Sequence, residues 1–169
     1  MPVYIALLRA VNVGGTGKLA MPELREMCET LGFTRVRTYI ASGNVVFESA
    51  LAETSVKRKL EARLEAYAGK PVGVIVRTTK ELAAVLEANP FGNAAPDRTV
   101  AIFLNAKPPA DALANASGVQ TETMALGARE IYVHYPDGIG RSKLKLHAAK
   151  DGTARNMNTL AKLLETASA

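Results

Sequence analysis

Two stretches of the chain are apolar at nearly every position, and they predict two central β-strands. Residues 3–8 read Val-Tyr-Ile-Ala-Leu-Leu, and residues 99–104 read Thr-Val-Ala-Ile-Phe-Leu. A continuous apolar run is typical of a strand that is covered on both faces or lies in the middle of a sheet. Helical and hairpin patterns follow each run, so each half of the chain is expected to pack onto its own central strand. The two strands should therefore lie in two sheets.

The pattern of residues 3–76 predicts the order β-α-β-β-α-β. A helix is expected over residues 22–31, because Pro22 suits a first helical turn and apolar residues recur behind it at helical spacing. Residues 36–41 and 45–48 are short β-rich runs joined by Ser42-Gly43-Asn44, which predicts a hairpin. A second helix over 53–68 ends at Gly69, and residues 72–76 form the fourth strand. This is the order of the ferredoxin-like split β-α-β unit.

The second half repeats this pattern incompletely. Thr78 and Glu81 have the spacing of a capping box, and the helix that they open should end by Asn89, before a proline. Residues 119–125 and 130–135 predict a second hairpin. Helix is expected from about Ser142, with Thr153 as the cap of a further helix. An extra terminal helix thus takes the place of the sixth strand.

The predicted fold class is α+β, with two ferredoxin-like lobes. Residues 1–78 form the first lobe, and residues 79–97 form a connecting helix and linker. Residues 98–169 form the second lobe, which is expected to be truncated and to carry the extra C-terminal helix.

Composition limits the classes of function. Of the 169 residues, 48% are hydrophobic and 22% are charged, which is typical of a soluble globular protein. The pattern contains no charged-then-apolar segment typical of a leader and no apolar run of the roughly 20 residues that a membrane helix needs, so a cytoplasmic protein without a membrane partner is expected. The pattern leaves the oligomeric state open.

The cysteine and histidine content argues against metal and thiol chemistry. The single cysteine, Cys28, lies on the apolar stripe of the first helix, where a buried filler is expected. His134 and His147 are isolated from each other in the sequence. We therefore expect no disulfide, no metal and no cofactor.

The charge balance and several polar loops point to an anionic partner. The net charge is +5, from 21 Lys and Arg against 16 Asp and Glu. Polar residues follow the first strand and fill the first hairpin turn, and such loops often hold ligands. Further basic residues lie at the two expected C-terminal helix openings, where free amides and the helix dipole favour a phosphate or carboxylate. The candidate ligand residues are Arg9, Asn12, Gly14, Ser42, Asn44, Arg141, Lys143, Arg155 and Asn156.

Two familiar nucleotide-related motifs are not matched. Residues 12–19 follow a strand as a phosphate-binding P-loop does, but Asn12 replaces its first glycine and Leu19 replaces its magnesium-binding Ser or Thr. An RNA-recognition module would suit the first lobe, with Tyr4 as a stacking aromatic. Residues 44–48 nevertheless lack the aromatic pattern of its third strand.

A set of motifs, taken in order, resembles the bacterial family called Domain of Unknown Function 1697. The motifs are residues 4–15 (Tyr-Ile-Ala-Leu-Leu-Arg-Ala-Val-Asn-Val-Gly-Gly), 39–47 (Tyr-Ile-Ala-Ser-Gly-Asn-Val-Val-Phe), 89–91 (Asn-Pro-Phe), 140–144 (Gly-Arg-Ser-Lys-Leu) and 153–159 (Thr-Ala-Arg-Asn-Met-Asn-Thr). The resemblance covers nearly the whole chain and implies a compact α+β protein of two ferredoxin-like halves. It implies no reaction and no catalytic residues. The chain departs from the family pattern at Ala10, where glycine is usual, and at Met157, where an aromatic is usual.

The hypothesis that these patterns favour is a non-catalytic binding protein for an anionic, phosphate-bearing ligand, either a small molecule or nucleic acid. The alternative is a small enzyme acting on a phosphorylated or carboxylated metabolite, with Arg141, Lys143 and Arg155 as electrostatic clamps. No obvious base supports that alternative. A protein-interaction module would instead need an exposed apolar patch. A concave pocket would favour a small molecule, and a flat basic stripe would favour nucleic acid.

Overall fold

The described part of the chain divides into two units, each with its own sheet. The structure, a computed structural model, describes residues 1–9, 19–39 and 43–169. One unit comprises Met1–Leu82 together with Leu163–Ala169, and the other comprises Ala83–Lys162. Each unit contains one four-stranded antiparallel sheet. The α+β class and the placement of the two apolar strands in separate sheets are confirmed.

The first sheet has the apolar strand of residues 3–8 in an inner position. Its strands run in the order β2-β3-β1-β4. Two helices, α1 and α2, lie between strands along the chain and give the predicted order of elements. The elements are β1 (Val3–Leu8), α1 (Met21–Thr30), β2 (Thr34–Tyr39), β3 (Asn44–Glu48), α2 (Glu53–Ala68) and β4 (Val74–Thr78).

One face of the first sheet carries an apolar core. Leu24 of α1 and Leu60 of α2 are fully buried in this cluster with the inward residues of β1, β3 and β4. The ring of Phe33 stacks on that of Phe47, with their centroids 4.3 Å apart. Burying a side chain of this size stabilises the fold by about 1.5–3 kcal/mol. The hydrophobic effect therefore fixes both helices on the face that their sequence periodicity predicts.

Side chains bond to several backbone groups on the outer edge of β4. The Val74 amide donates to the carboxylate of Glu61 at 3.1 Å, and Lys57 Nζ donates to the Val74 carbonyl at 2.7 Å. Farther along the strand, Arg77 donates to the carbonyl of Val76 at 3.1 Å. An unpaired edge strand is a template for association with another chain, so these bonds block β4 as such a template.

Two arginines of β2 hold the end of α4 (Met157–Ser168). Arg37 donates to the carbonyl of Thr166, and Arg35 donates to the carbonyl of Ala169 at 3.0 Å. The last carbonyls of a helix lack partners within the helix and carry partial negative charge, so a guanidinium stabilises them. Arg35 has a φ of 49° and lies in a β-bulge, which turns its side chain out of the regular ladder.

The second sheet has the same arrangement of strands as the first. Its order is β6-β7-β5-β8, with the apolar strand of residues 99–103 in an inner position. The predicted capping box precedes α3 and is confirmed: the Glu81 amide donates to Thr78 Oγ1 at 3.2 Å, and the Thr78 amide donates to Glu81 Oε1 at 2.9 Å. The remaining elements are α3 (Thr79–Glu87), β5 (Thr99–Phe103), β6 (Thr123–Leu126), β7 (Glu130–His134) and β8 (Thr153–Asn156).

The helix predicted from Ser142 is wrong. After a short 3-10 turn at Ile139–Arg141, the chain runs without regular helix to a second such turn at His147–Ala149. Leu144 and Leu146 pack against the apolar face of the second sheet. These leucines are two residues apart, so their pattern has the period of an extended chain and not that of a helix.

The prediction that a helix replaces the last strand of the second half is also wrong. Thr153 does not cap a helix, because it begins β8, which pairs with β5 and fills the fourth place in the sheet. The cap of α4 is Asn156, whose Oδ1 accepts a hydrogen bond from the amide of Thr159 at 2.9 Å. The second sheet is therefore complete and not truncated.

The other differences between the predicted and the observed bounds of the elements are small. The predicted strand over 119–125 begins later, at Thr123, whereas α2 keeps both of its predicted bounds. Gly69 ends α2 with a φ of 74° and donates its amide to the carbonyl of Glu65 at 2.8 Å. In the described ranges, no helix has both the length and the apolar character needed to cross a membrane.

Candidate anion-binding surface

The two described candidate residues of the first half, Arg9 and Asn44, lie at the same end of two inner strands of the first sheet. Arg9 directly follows β1 and is exposed, and its amide donates to the carbonyl of Gly73 at 2.9 Å. Asn44 begins β3 and is fully buried, and its Nδ2 donates to the carbonyl of Tyr39 at 3.0 Å. Asn44 thus closes the hairpin and presents no surface to a ligand. The predicted ligand residues Asn12, Gly14 and Ser42 lie outside the described residues.

A cavity of about 370 Å³ opens beside Gly73 in the first unit. Glu61 and Glu65 contribute carboxylates to its wall, while Arg58 contributes the one guanidinium among the described lining residues. Glu61 is already bonded to Lys57 and to the Val74 amide. This lining does not favour an anion, so the cavity does not extend the candidate surface around Arg9.

Arg155 and Asn156 lie on β8, an edge strand of the second sheet. Arg155 pairs with Ala101, which places its side chain on the face opposite to that of Val100 and Ile102. Burial lowers the pKa of the Arg155 guanidinium to about 10, and Nη1 donates to the carbonyl of Ala154 at 2.9 Å. Asn156 is occupied as the cap of α4. Both residues therefore have structural partners within their own unit.

Arg141 and Lys143 belong to a row of basic residues that the helix prediction obscured. From residue 141 to residue 147, exposed basic side chains alternate with half-buried ones. The exposed positions are Arg141, Lys143, Lys145 and His147, which we call the basic row. Ser142 and Leu146 have extended backbone angles, so side chains two residues apart point the same way.

The inner side of this segment is firmly held. Leu144 and Leu146 pack on the apolar face of the second sheet. Lys145 exchanges two backbone hydrogen bonds with Ser117, at 2.8 and 2.9 Å. A Cβ added to Gly118, which has a φ of +70°, would lie 2.0 Å from the carbonyl oxygen of Lys143. These contacts fix the backbone that presents the basic row.

One carboxylate lies beside the row, on its inner side. The Ser142 hydroxyl donates to Glu122 at 2.6 Å, and the Gln120 amide donates to the same carboxylate at 2.7 Å. The hydrogen bond from Ser142 is the main cause that lowers the pKa of Glu122. The carboxylate is thus used to hold Ser142, and no ion pair joins it to a side chain of the basic row within the described residues.

The structure separates candidates that the sequence analysis grouped together. Arg141 and Lys143 lie on a segment that covers one face of the second sheet, while Arg155 projects from the other face. A single anion bridging two helix openings is therefore ruled out for these residues, since no helix opens at residue 142. Lys145 and His147 were missed, although the alternation of basic and apolar residues from 141 to 147 already indicated one exposed face.

Neither thiol nor metal chemistry has a visible centre in the described ranges. No group of three or more His, Cys, Asp or Glu side chains there could hold a metal ion. Cys28 is fully buried, as its place on the apolar stripe predicts. Burial, with a smaller effect of Glu29, raises the pKa of its thiol to about 12.

The described fold and surface define a small α+β protein with two antiparallel sheets and an exposed basic row. The chain belongs to the family described as protein of unknown function (DUF1697), whose model matches residues 1–132. A conserved bacterial protein from Streptococcus pneumoniae has a similar structure, with a TM-score of 0.81 and 24% sequence identity over 98% of each chain. No curated protein matches this sequence.

Proposed function

We propose that this protein binds a phosphate-bearing polyanion, with nucleic acid as the candidate ligand, through the basic row. The observation that carries the proposal is that Arg141, Lys143 and Lys145 are exposed and have no hydrogen bond or ion pair from their side chains within the described residues. Cations held in ion pairs would have to exchange partners before binding a ligand. These three side chains do not have that cost.

The spacing of the row suits a polymer better than a single anionic group. Residues two apart in an extended chain are about 7 Å apart, so the row from Arg141 to His147 spans about 20 Å. One phosphate or carboxylate cannot contact all of its members at once. A chain of phosphates can, and each contact adds to the affinity by releasing counterions.

The exposure of the row also supports such a ligand. Its side chains project from a segment that lies on the surface, and they do not line the cavity of the first unit. A flat basic stripe is the arrangement that favours nucleic acid over a small metabolite. The fixed backbone lowers the entropy that the protein loses on binding.

We further infer that each unit is a variant of the ferredoxin-like fold. In support, the first unit has the order β-α-β-β-α-β, and both sheets share one arrangement of strands. The expected lobe boundaries, at residues 78 and 98, remain part of this proposal.

The test is binding of a labelled single-stranded oligonucleotide, measured by fluorescence anisotropy at several salt concentrations. The triple variant Arg141→Ala, Lys143→Ala, Lys145→Ala should bind at least about tenfold more weakly at low salt, and its logarithmic salt slope should fall by about two. The matched control is Lys59→Ala, Lys70→Ala, Lys80→Ala, which removes the same charge from three other exposed positions. It should bind nearly as well as the wild type.

Two results would contradict the proposal. Equal weakening by both triple variants would mean that net charge alone attracts the oligonucleotide. Absence of binding even at low salt would exclude nucleic acid as the ligand. Inorganic polyphosphate and orthophosphate, added as competitors, separate a polymer site from a site for one phosphate group. Only the polymer should displace the oligonucleotide.

A further inference from the structure

The outer edge of β6 differs from the other three sheet edges of the molecule. In an antiparallel pair, residues alternate between those that bond to the neighbouring strand and those whose amide and carbonyl point away. The Gly127 amide donates to the Glu130 carbonyl at 2.7 Å, which fixes this alternation. Thr123 and Ala125 bond to β7, so Met124 and Leu126 direct their amides and carbonyls outward.

Each of the other edges has at least one backbone group bonded to a side chain of the same chain. On β4, Lys57 and Glu61 hold Val74. On β8, Arg155 donates to the outward carbonyl of Ala154. The remaining edge, β2, is interrupted by the bulge at Arg35, whose carbonyl accepts a hydrogen bond from Arg37 Nε at 3.1 Å.

The β6 edge has no such protection. In the part of the chain that the structure describes, no group is bonded to the outward amides and carbonyls of Met124 and Leu126. Residues 123–126 read Thr-Met-Ala-Leu and carry no charge. The side chain of Leu126 is 39% exposed. Natural sheet edges usually carry charges, bulges or covering segments that prevent pairing, so their absence marks β6 as open to another strand.

We propose that β6 pairs with β6 of a second copy of this chain. Antiparallel pairing of two identical strands about a two-fold axis is self-complementary. Centred on Ala125, it joins Met124 to the partner's Leu126 by both backbone hydrogen bonds, and the reciprocal pair adds two more. Ala125 then lies directly opposite the partner's Ala125, where two small side chains allow close approach.

The charges at the two ends of β6 fit this arrangement. Glu122 precedes the strand, and Arg129 follows it in the hairpin turn. The same register brings Glu122 near the partner's hairpin turn, which carries Arg129. Residues of opposite charge therefore lie near each other at both ends of the paired strands, and the strands themselves carry no charge. A parallel partner or a peptide of another sequence would not gain this match from the register itself.

A disulfide cross-link between two copies tests the proposed register of the β6 pairing directly. Ala125→Cys should form a cross-linked dimer under mild oxidation, because the two Cα atoms would lie about 4.5 Å apart. Leu126→Cys should not cross-link, since the offset between the two copies puts these positions beyond the roughly 7 Å limit. The native Cys28 is buried and does not interfere.

Sedimentation analysis from micromolar to millimolar concentration gives the second readout. The wild type should show a reversible dimer, which a small interface makes weak. Leu126→Pro removes an outward amide but no bond to β7, so it should raise the dimer dissociation constant at least about tenfold. Leu126→Val keeps the amide and should associate like the wild type.

Three outcomes would overturn the proposal. They are a wild type that stays monomeric throughout, a dimer that persists in a folded Leu126→Pro variant, and equal cross-linking of the two cysteine variants. If Leu126→Pro does not fold, as judged by circular dichroism, the cysteine pair still decides. Because the basic row is not part of this edge, loss of oligonucleotide binding would leave the proposal intact.

Discussion

The carboxylate of Glu61 accepts a hydrogen bond of 3.1 Å from the backbone amide of Val74, a residue that is 1% exposed. The bond lets a helix residue take the place that a neighbouring strand would occupy at the edge of the first sheet. Without it, a buried amide on that edge would have no acceptor, and a buried donor without a partner is costly.

We therefore predict that Glu61→Ala lowers the free energy of unfolding by about 1–3 kcal/mol, measured by urea denaturation. Glu65→Ala, one turn farther along α2, is the matched control, because the Glu65 side chain is exposed and has no bond among the described residues. It should change the free energy by less than about 0.5 kcal/mol. Equal costs for the two variants would show that the bond to Val74 adds nothing to stability.

Alanine substitutions at Gly118 and Gly138 distinguish the cost of backbone strain from the cost of a steric clash. Both have positive φ, +70° and +89°, but an added Cβ would meet the Lys143 carbonyl at Gly118 and nothing within 4 Å at Gly138. Gly138 has a ψ of 150°, a backbone conformation that is essentially limited to glycine, so Gly138→Ala should cost about 1–3 kcal/mol from backbone strain alone. Gly118→Ala should cost more than Gly138→Ala, because the segment that carries Lys143 must also move.

The same pair of variants probes the basic row. If this segment presents the row, Gly118→Ala should weaken oligonucleotide binding while Gly138→Ala leaves it nearly unchanged. Thermal unfolding and anisotropy titration measure the two effects separately. A Gly118→Ala protein as stable as Gly138→Ala would mean that the close approach of residues 118 and 143 is easily relaxed.

The pH dependence of stability should carry a contribution from Cys28. Burial raises the pKa of this thiol to about 12 in the folded state, whereas an exposed thiol titrates near pH 8.5. The unfolded chain loses this proton first as the pH rises. The contribution of Cys28 to stability is thus fully present below about pH 8.5 and decreases as the pH rises toward 12.

Comparison of the wild type with Cys28→Ala isolates this contribution. The variant lacks the thiol, so its free energy of unfolding should fall less steeply above about pH 8.5. Between pH 7 and pH 10 the wild type should lose about 2 kcal/mol more of its free energy of unfolding than the variant does. Urea denaturation at a series of pH values provides the measurement. Parallel curves for the two proteins would mean that the thiol ionises as easily in the folded state as in the unfolded one.

The elements that the sequence predicted correctly depend on neighbours along the chain. Gly69 ends α2 because its backbone adopts a φ of 74°, and the Thr78–Glu81 box caps α3 through two reciprocal bonds. The unbroken apolar run of β1 likewise predicts an inner strand. In each case the signal and its structural cause lie within a few residues of each other.

The elements that were mispredicted depend on distant partners. Residues 153–156 read Thr-Ala-Arg-Asn and have no apolar period. They form a strand because their backbone pairs with the side of β5 that β7 leaves unpaired. Asn156, and not Thr153, then becomes the cap of α4. The prediction of the candidate site failed for the same reason. The pairing of Arg155 with Ala101, which is distant in sequence, is what shows that Arg155 lies on the face away from the basic row.

The division of the chain between the two units has a consequence for biosynthesis. Residues 163–169 belong with the N-terminal unit, where Arg37 and Arg35 hold the end of α4. A ribosome makes these residues after all of Ala83–Lys162, so the second unit can fold while the first still lacks its last segment. Until then the half-buried guanidinium of Arg37 lacks the Thr166 carbonyl that it binds in the folded protein. Of the two units, the one that contains Met1–Leu82 is thus made first but completed last.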